Sequence, residues 1–368
     1  MRSSRAIIHL DNLAYNYNNL RKKAGNRPVM CVVKADAYGH GMVKCVEKFE
    51  SLVNPPEYYG VALTEEAVEL RKSGVTSRPI LIFGPFDSDD ITTYHEDDLT
   101  PTITDVSNIK FLSDYSGKVL KVHINIDTGM GRLGISYLKA FEMISKLSEN
   151  KNVQIDGIYT HLACSDEHDK SYTKLQLMRF GTIVEKLKKH KIKYGIAHAA
   201  NSGGVIDHPD SYFDMIRPGI SLYGYYPSND TGESVSLKPV MELRARISSV
   251  KEIPTGESVS YGRKYIANKP IISGTVAFGY ADGYNRLLTN NARAKIGNKI
   301  VKQIGRVTMD RIMFDVSEID TPVGQEIVLM GYSGEFRFTA EEWANICGTI
   351  PYEITCNISR RVPREYIG

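Results

Sequence analysis

Short apolar runs recur from Val29 to Arg217, and amphipathic or polar stretches separate them. In one of these stretches the apolar residues fall three and four positions apart, as in a helix that packs on a sheet; they are Leu177, Phe180, Val184 and Leu187. The runs predict eight strands, at Val29–Val33, Tyr59–Ala62, Ile80–Phe83, Pro101–Thr104, Val119–Ile126, Gly157–His161, Ile196–Ala200 and Met215–Arg217. Short strands that alternate with helices predict an α/β fold with an N-terminal (β/α)8 barrel of the TIM type.

The segment before these strands contains one further strand and a helix. Ala6, Ile7 and Ile8 are apolar, so we expect a strand at about residues 4–10, which can pack with a later domain. Asp11 follows it, and aspartate is a favourable N-cap because its carboxylate accepts backbone N–H groups. We therefore predict a helix from Asp11 to about Ala24.

A polar, turn-rich segment from Pro227 to Lys238 follows the predicted barrel. Segments of this kind often join domains, so we predict one domain over residues 1–235 and a second over residues 236–368. Apolar and polar residues alternate from Met241 to Ile247, which is typical of an antiparallel strand. Similar short runs make the second domain mostly β; they lie at Gly274–Phe278, Ile300–Ile304, Ile312–Val316 and Glu326–Met330.

Composition excludes several classes of protein. The 46 basic and 43 acidic side chains give a net charge of +3, which indicates neither a nucleic-acid partner nor a membrane surface. Five cysteines without a C-x-x-C pair argue against a disulfide framework and a zinc site. The start, MRSSRAIIHLDNL, lacks an apolar stretch of signal-peptide length, and no run is long enough for a membrane helix. We expect a soluble, cytoplasmic protein that binds no metal.

Lys34 ends an apolar run and begins a turn-rich stretch with glycines at positions 39 and 41. A lysine at a water-poor strand end has a lowered pKa and can form a Schiff base with an aldehyde. A surface lysine that closes a strand is the alternative, and for a single lysine it is the better interpretation.

Four other polar residues also follow predicted strands: Arg132, His161, Ser202 and Arg217. Strands of a barrel carry catalytic groups at their C-terminal ends, so one face of the barrel would collect all of them with Lys34. Each has an ordinary alternative, because Arg132 could close a turn, His161 could be a core histidine, and Ser202 could be a helix N-cap. Together the five residues indicate a shared ligand.

The string VVKADAYGHG, residues 32–41, begins at Val32 and resembles the pyridoxal-phosphate lysine motif of the alanine racemase family. The resemblance implies that Lys34 holds pyridoxal 5'-phosphate and that Arg132 takes the carboxylate of the substrate. It also implies a set of residues that bind the phosphate and ring of the cofactor: Tyr38, His161, Asn201, Ser202, Arg217, Gly219, Ile220 and Tyr352. Arg217 would donate to the pyridine nitrogen and keep it unprotonated, which weakens the electron sink and disfavours transamination.

The second domain carries three further strings that resemble the family. Ser258–Gly262 is similar to its catalytic tyrosine motif, Gly279–Gly283 to the signature that follows it, and Met309 with Asp310 to its active-site loop. Without the resemblance, Asp282–Gly283 would be a hairpin turn and Tyr261 an ordinary strand tyrosine. With it, Tyr261, Tyr280, Met309 and Asp310 are expected to complete the site of the other subunit in a homodimer.

The resemblance implies a two-base racemisation in which Lys34 and the Tyr261 of a second copy act on opposite faces of alanine. A tyrosine hydroxyl needs help to act as a base, and His161 would be its hydrogen-bond partner. The product, D-alanine, would supply peptidoglycan synthesis. One position departs from the family, since many members have a carbamylated lysine where this chain has Asn125.

Three rival interpretations remain at this point. A racemase of broader range would act on serine or lysine, although Tyr352 and Tyr261 would narrow the entrance and favour alanine. A non-catalytic pyridoxal-phosphate carrier would resemble the first domain alone, so the second domain and Tyr261 argue against it. A decarboxylase on the same fold would need a catalytic cysteine motif, which is not evident in this sequence.

Overall fold

The structure is a computed structural model that describes residues 4–333 and 336–368, so the first residues of the segment considered for a signal peptide lie outside it. The elements up to residue 207 are β1 (Arg5–His9), α1 (Leu10–Lys23), β2 (Met30–Val32), α2 (Lys34–Gly39), α3 (Met42–Glu50), β3 (Tyr58–Val61), α4 (Thr64–Lys72), β4 (Ile80–Pro85), α5 (Ile91–Glu96), β5 (Leu99–Ile103), α6 (Val106–Ser113), β6 (Leu120–Asp127), β7 (Ile135–Ser136), α7 (Tyr137–Leu147), β8 (Val153–Tyr159), α8 (Ser171–Lys189), β9 (Ile196–His198) and α9 (Ser202–Asp207).

The remaining elements are mostly strands. They are β10 (Met241–Ile253), β11 (Ser258–Val259), β12 (Tyr265–Ile266), β13 (Ile271–Val276), β14 (Arg293–Ile296), β15 (Lys299–Ile304), β16 (Ile312–Asp315), β17 (Glu326–Ser333), β18 (Phe336–Phe338), α10 (Ala340–Cys347), α11 (Pro351–Cys356) and β19 (Arg364–Ile367). Short 3₁₀ turns lie at Ser88–Asp90, Pro209–Ser211, Ile220–Tyr223, Tyr261–Arg263, Tyr280–Asp282 and Arg286–Leu288.

The first part of the chain forms the predicted barrel of parallel strands. The strand order is β2-β3-β4-β5-β6-β8-β9, and the short β7 pairs with β6. The predicted eighth strand, Met215–Arg217, is reduced to two parallel bridges, from Met215 to His198 and from Ile216 to Val29. Pro28 and Pro218 flank these bridges, and proline has no N–H to extend a ladder.

Burial explains why these strands are apolar. Every residue of β2 and of β5 is buried, as expected for parallel strands covered on both faces. The apolar stripe of α8 is buried too, with Phe180 and Leu187 fully inaccessible to solvent. The helical prediction for this segment is therefore confirmed.

The predicted start of the first helix is wrong. Helix α1 begins at Leu10, its N-cap is His9, and no side chain caps it. Strand β1 runs directly into the helix, so no loop residue is available for a cap. Asp11 lies in the first turn, where a carboxylate still interacts favourably with the helix dipole, and its Oδ1 accepts from Lys48 Nζ at 2.8 Å.

The second part is mostly β, as predicted. Its strands follow the order β18-β17-β14-β15-β16-β13-β10-β1-β19. Strand β10 also pairs with β17, so a ring closes through β17, β14, β15, β16, β13 and β10, while β11 and β12 pair separately. The alternation along β10 is confirmed from Leu243 to Ile247, where Leu243, Ala245 and Ile247 are buried, whereas at the start of the strand Glu242 is buried as well as Met241. Strand β1 pairs antiparallel with β10 and parallel with β19, which ties the N-terminus of the chain to this sheet.

One continuous hydrophobic core spans both parts of the chain. Helix α11, near the C-terminus, contacts α2 at the rim of the barrel, and Tyr352 of α11 packs against Tyr38 with ring centroids 5.8 Å apart. The division at residue 235 stays a prediction. In the part of the chain that the structure describes, no helix is both long enough and apolar enough to cross a membrane.

Candidate active site

A cavity of about 240 Å³ lies at the C-terminal ends of the barrel strands. Ten of the residues predicted from the sequence line it: Lys34, Tyr38, Arg132, His161, Asn201, Ser202, Arg217, Gly219, Ile220 and Tyr352. They come from strand ends, from helix starts and from α11, so residues far apart in sequence meet at one place. The cavity is therefore the candidate active site.

Lys34 begins a left-handed turn rather than the irregular loop that its sequence suggests. The four residues Ala35–Tyr38 have φ between 52° and 54° and ψ between 38° and 50°. A left-handed helix costs roughly 1–2 kcal/mol for each L-residue because Cβ approaches the next carbonyl oxygen. Contacts with other residues, both nearby in the sequence and far from it, must therefore hold this turn.

The residues of the YGHG string hold the turn from within. His40 is fully buried, and its Nδ1 lies 2.9 Å from the Ala37 carbonyl oxygen and 3.0 Å from that of Tyr38. The His40 ring stacks on Tyr223 at a centroid distance of 4.6 Å. Burial lowers the pKa of His40 to about 4, so at neutral pH the ring is uncharged.

A second set of contacts holds the end of the turn from the C-terminal strand β19. Arg364 donates to the Gly39 carbonyl oxygen from Nε at 3.2 Å and from Nη2 at 3.1 Å. Gly39 has φ of 84°, and a Cβ there would lie 2.3 Å from the Thr355 carbonyl oxygen. Glycine is therefore required at this position by backbone conformation and by the close approach of α11.

The environment of Lys34 favours a neutral amine. Burial lowers its pKa, and the positive charge of Arg132 lowers it further, whereas Glu66 and Cys356 act in the opposite direction. A lysine in such surroundings is a better nucleophile and base at neutral pH than an exposed one.

Arg217 is 3% exposed and is held by several acceptors. It donates from Nη1 to His198 Nδ1 at 2.8 Å, and from Nη2 to the carbonyl oxygens of Thr160 at 2.9 Å and Ala199 at 3.2 Å. Because His198 Nδ1 accepts, a neutral His198 carries its proton on Nε2 and donates it to His123 Nδ1, 2.9 Å away. These bonds fix the guanidinium at the cavity wall.

The buried groups around Arg217 remain uncharged beside it. Burial lowers the pKa of Arg217 to about 10, so it stays protonated at neutral pH. Burial and the charge of Arg217 lower the pKa of His123 and of His161 to about 3. Arg217 is thus a fixed positive charge beside neutral imidazoles, of which His161 lines the cavity together with Arg132.

Ser202 and Gly219 form another part of the cavity lining. Ser202 Oγ accepts from the backbone N–H of Gly219 at 2.9 Å and of Ser221 at 3.3 Å. A Cβ at Gly219 would lie 2.5 Å from the Tyr38 hydroxyl. Asn201, not Ser202, is the N-cap of α9, since its Oδ1 accepts from Gly204 N at 2.9 Å.

The loop that carries Arg132 is held by a carboxylate and a buried amide. Asp127 Oδ1 accepts from three consecutive backbone N–H groups, at Gly129, Met130 and Gly131. Gln176 is fully buried and donates from Nε2 to Thr128 Oγ1 at 3.2 Å and to the His161 carbonyl oxygen at 3.1 Å. Gln176 therefore joins this loop to the strand end that carries His161.

The structure does not bring the four predicted residues of the second domain to this cavity. Tyr261, Tyr280, Met309 and Asp310 line a separate open concavity of about 1010 Å³, which shares no lining residue with the first. Tyr261 is 73% exposed and lies in a 3₁₀ turn, not in a strand. Asp282 also ends a 3₁₀ turn, so Asp282–Gly283 does not form a hairpin.

Sequence reasoning missed two residues that shape the barrel cavity. His198 holds Arg217, and Tyr159 lines the cavity with its ring stacked on His198 at 5.0 Å. Both lie at the C-terminal ends of strands, in β9 and β8. The rule that singled out His161 and Arg217 would have found them if applied to every polar residue in a predicted strand end.

Comparisons with known proteins place the chain in a family. Residues 8–227 match the family described as alanine racemase, N-terminal domain, and residues 240–366 match alanine racemase, C-terminal domain. Alanine racemase 2 of Caldanaerobacter subterraneus subsp. tengcongensis is 41% identical over 373 residues, which cover 100% of this chain and 95% of that protein. The chain belongs to the alanine racemase family. It is therefore an isomerase, and the family depends on pyridoxal phosphate.

Solved alanine racemase structures have the same fold. The alanine racemase of Clostridium difficile 630 superposes with a TM-score of 0.91 at 35% identity, covering 100% of this chain and 96% of that one. The enzyme from D-cycloserine-producing Streptomyces lavendulae gives 0.92 at 31% identity, covering 100% and 98%. The enzyme of Bacillus anthracis, described with bound L-Ala-P, gives 0.89 at 31% identity, covering 100% and 96%.

Proposed function

We propose that this chain racemises alanine with pyridoxal 5'-phosphate held on Lys34, and that Lys34 and the Tyr261 of a second copy act on opposite faces of the substrate. The observation that carries the proposal is the convergence of ten predicted residues on one cavity at the C-terminal end of the barrel. The D-alanine formed would serve peptidoglycan synthesis.

The residues around the cavity fit pyridoxal phosphate. The Ser202 hydroxyl, the Tyr38 hydroxyl and the backbone N–H of Ile220 offer donors suited to a phosphate dianion. The Gly219 N–H donates to Ser202 Oγ, so Gly219 would act by holding that hydroxyl in place. The contact between Tyr38 and Gly219 supports this fit, because a side chain at Gly219 would displace the Tyr38 hydroxyl. Tyr352 packs against the Tyr38 ring and fixes its position.

Arg217 fits the ring nitrogen of the cofactor. Its guanidinium is fixed by His198 and by the Thr160 carbonyl oxygen, and no carboxylate lies within ion-pair distance of it in residues 4–333 and 336–368. Because Arg217 stays protonated at neutral pH, it would donate to that nitrogen and leave it unprotonated. When bound, the cofactor withdraws electrons from the substrate Cα and acidifies its proton.

The proton transfers themselves are assigned to this chain's own side chains. The lowered pKa of Lys34 supports a neutral Nζ that removes or returns a proton on one face of the substrate. Arg132 would hold the substrate carboxylate by charge-assisted hydrogen bonds. Asn125 and Leu133 line the cavity beside it.

The second base must reach the cavity from outside this chain. Tyr261 is exposed on a separate concavity, which supports its delivery to the cavity of a partner in a homodimer with shared sites. Tyr280, Met309 and Asp310 lie on the same surface and would contribute to the substrate entrance. His161 is neutral at physiological pH and can bond to the tyrosine hydroxyl there.

The test is an assay of optical rotation on purified protein with L-alanine, run beside L-serine and L-lysine. We expect loss of rotation for alanine and much slower loss for the other two, since Tyr352 and the Tyr261 of a second copy would narrow the entrance. Borohydride treatment followed by peptide mapping should attach the cofactor to Lys34. A tag on another lysine, or faster turnover of serine or lysine, would contradict the proposal.

A further inference from the structure

Glu66 makes an unusual set of contacts at the base of the Lys34 turn. It is the third residue of α4, and its Oε2 accepts from the backbone N–H groups of Ala62 at 2.8 Å and Leu63 at 3.2 Å. Its Oε1 accepts from the backbone N–H of Ala35 at 2.6 Å. One carboxylate thus joins the start of α4 to the residue that follows Lys34.

This contact lies where the backbone φ changes from negative to positive values. Val33 has φ of −120°, whereas Ala35 has φ of 52° and begins the left-handed turn. The peptide bond between Lys34 and Ala35 therefore decides the direction in which the Lys34 side chain leaves the backbone. An amide bonded to a charged acceptor is held more firmly than one bonded to water or to a neutral group.

We propose that Glu66 is a positioning residue for Lys34, holding the peptide bond that follows it against the start of α4 and so directing the lysine side chain into the cavity. This inference rests on the proposed role of Lys34 in the reaction. Glu66 makes its contacts through backbone groups, so it acts through Lys34 and not on the substrate.

Charge gives Glu66 a second effect on the same lysine. Besides burial, the groups that act on the Lys34 amine are Arg132 from the loop after β6, Glu66, and Cys356 from α11, whereas His161 after β8 is uncharged. Arg132 lowers the pKa of Lys34, and Glu66 opposes it. Removing the Glu66 charge should therefore lower the pKa of Lys34 further.

Two substitutions change the charge and the contacts of Glu66 in different ways. Glu66→Gln keeps the length of the side chain but removes the charge and one of the two acceptor oxygens, so it keeps either the Ala35 contact or the contacts with the α4 amides. Glu66→Asp keeps the charge but is shorter by one methylene, so its carboxylate cannot reach Ala35 and the α4 amides together. Glu69→Gln is the matched control, since Glu69 lines the same surface concavity as Glu66 and Ala35.

The first measurement needs no bound cofactor. Competitive labelling of the full-length chain with 1-fluoro-2,4-dinitrobenzene across a pH range, followed by peptide mapping, gives the apparent pKa and reactivity of Lys34. We expect a decrease of about half a unit in Glu66→Gln, because a half-buried charge is partly screened. Glu66→Asp and Glu69→Gln should retain the pKa of the unmutated chain.

The second measurement is alanine racemisation by the loaded enzyme. We expect Glu66→Asp to lose about tenfold in kcat with KM within about twofold, because a misdirected base slows proton transfer without weakening substrate binding. An unchanged kcat in Glu66→Asp, or equal labelling shifts in Glu66→Gln and Glu69→Gln, would overturn the inference. If Glu66→Asp does not fold, the labelling comparison of the two glutamine variants decides. An unmutated chain that does not racemise alanine would overturn the proposed function instead, and labelling would still test Glu66.

Discussion

The barrel and the C-terminal sheet present their site residues in opposite ways. In the barrel, Arg217 is 3% exposed and Ser202 is 3% exposed, and each is bonded to fixed backbone or side-chain groups. In the second part, Tyr261 is 73% exposed and Met309 is 51% exposed. The residues of the first set are held in place by contacts within their own chain, whereas those of the second set lie exposed on the surface.

This difference in exposure indicates which steps of the proposed reaction one chain can carry out alone and which need a second chain. The barrel holds the donors that fit the cofactor, together with Lys34, so a single chain should bind pyridoxal phosphate. The exposed concavity carries Tyr261 beside four arginines, Arg286, Arg306, Arg311 and Arg361, and no lysine that could hold the cofactor is among the described residues that line it. In the proposed two-base reaction, racemisation should therefore depend on the meeting of two chains.

The largest effect is expected at the barrel half. Lys34→Ala removes the amine that we propose holds the cofactor and acts as one base, so we expect racemisation to fall by more than about 10⁴-fold. Steady-state polarimetry measures the loss. Lys44→Ala, which removes only an exposed pair with Glu47, is the control and should retain full activity.

We expect the next largest loss of activity from a substitution in the exposed concavity that contains Tyr261. Tyr261→Phe removes only the hydroxyl, and we expect a loss of about 10²–10⁴-fold in exchange of the Cα proton of L-alanine. Exchange from D-alanine should fall less, because Lys34 acts on that enantiomer. Proton exchange in deuterated water, followed by NMR for each enantiomer, makes the comparison. Equal losses from both enantiomers would favour a single base.

Mixing of two variant chains tests whether the barrel site of one chain needs the Tyr261 of a second chain. We expect Lys34→Ala chains and Tyr261→Phe chains each to have little activity alone, whereas a heterodimer of the two has one site with both groups intact. Random pairing of equal amounts should therefore restore about one quarter of the unmutated activity. Mass spectrometry of differently tagged chains confirms that mixing has occurred. Mixed dimers without restored activity would show that Tyr261 acts within its own chain.

The same contrast shows what the sequence could predict. Parallel strands bury both faces, so their apolar runs reveal the barrel and its polar C-terminal ends, and Arg132, His161 and Arg217 were found in this way. The four residues of the surface half carry no such pattern, since Tyr261 without its neighbours resembles an ordinary exposed tyrosine. They were found through resemblance to a family.

The left-handed turn after Lys34 could not be predicted from local sequence. Ala35 and Ala37 have no local preference for positive φ. His40 contacts the turn from nearby in the sequence, but the other contacts come from Glu66 and from Arg364, which is 325 residues from Gly39. A pattern read over ten or twenty residues contains neither contact. The same holds for His198, whose importance depends on Arg217 lying beside it.

The smallest effect is expected where the chain departs from its family, at Asn125. Asn125 is 7% exposed and lines the same cavity as Arg132, and no hydrogen bond joins their side chains in the described part of the chain. A neutral amide can offer Arg132 an acceptor oxygen but no charge. The charge of Arg132 lowers the pKa of both Lys34 and His161.

We predict that Asn125→Lys, once carbamylated, binds alanine less tightly than the unmutated chain. The carbamate would neutralise part of the Arg132 charge, and a loss of about 1 kcal/mol corresponds to a KM about fivefold higher. Both proteins are assayed after degassing and again with bicarbonate, at fixed ionic strength, with chloride exchanged for a bulky anion. The unmutated chain should ignore bicarbonate and respond to small anions, and Asn125→Gln, which cannot be carbamylated, should ignore bicarbonate too. A bicarbonate requirement in the unmutated chain would refute the prediction, whereas an equal KM would show that Asn125 already orients Arg132 as well as a charge does.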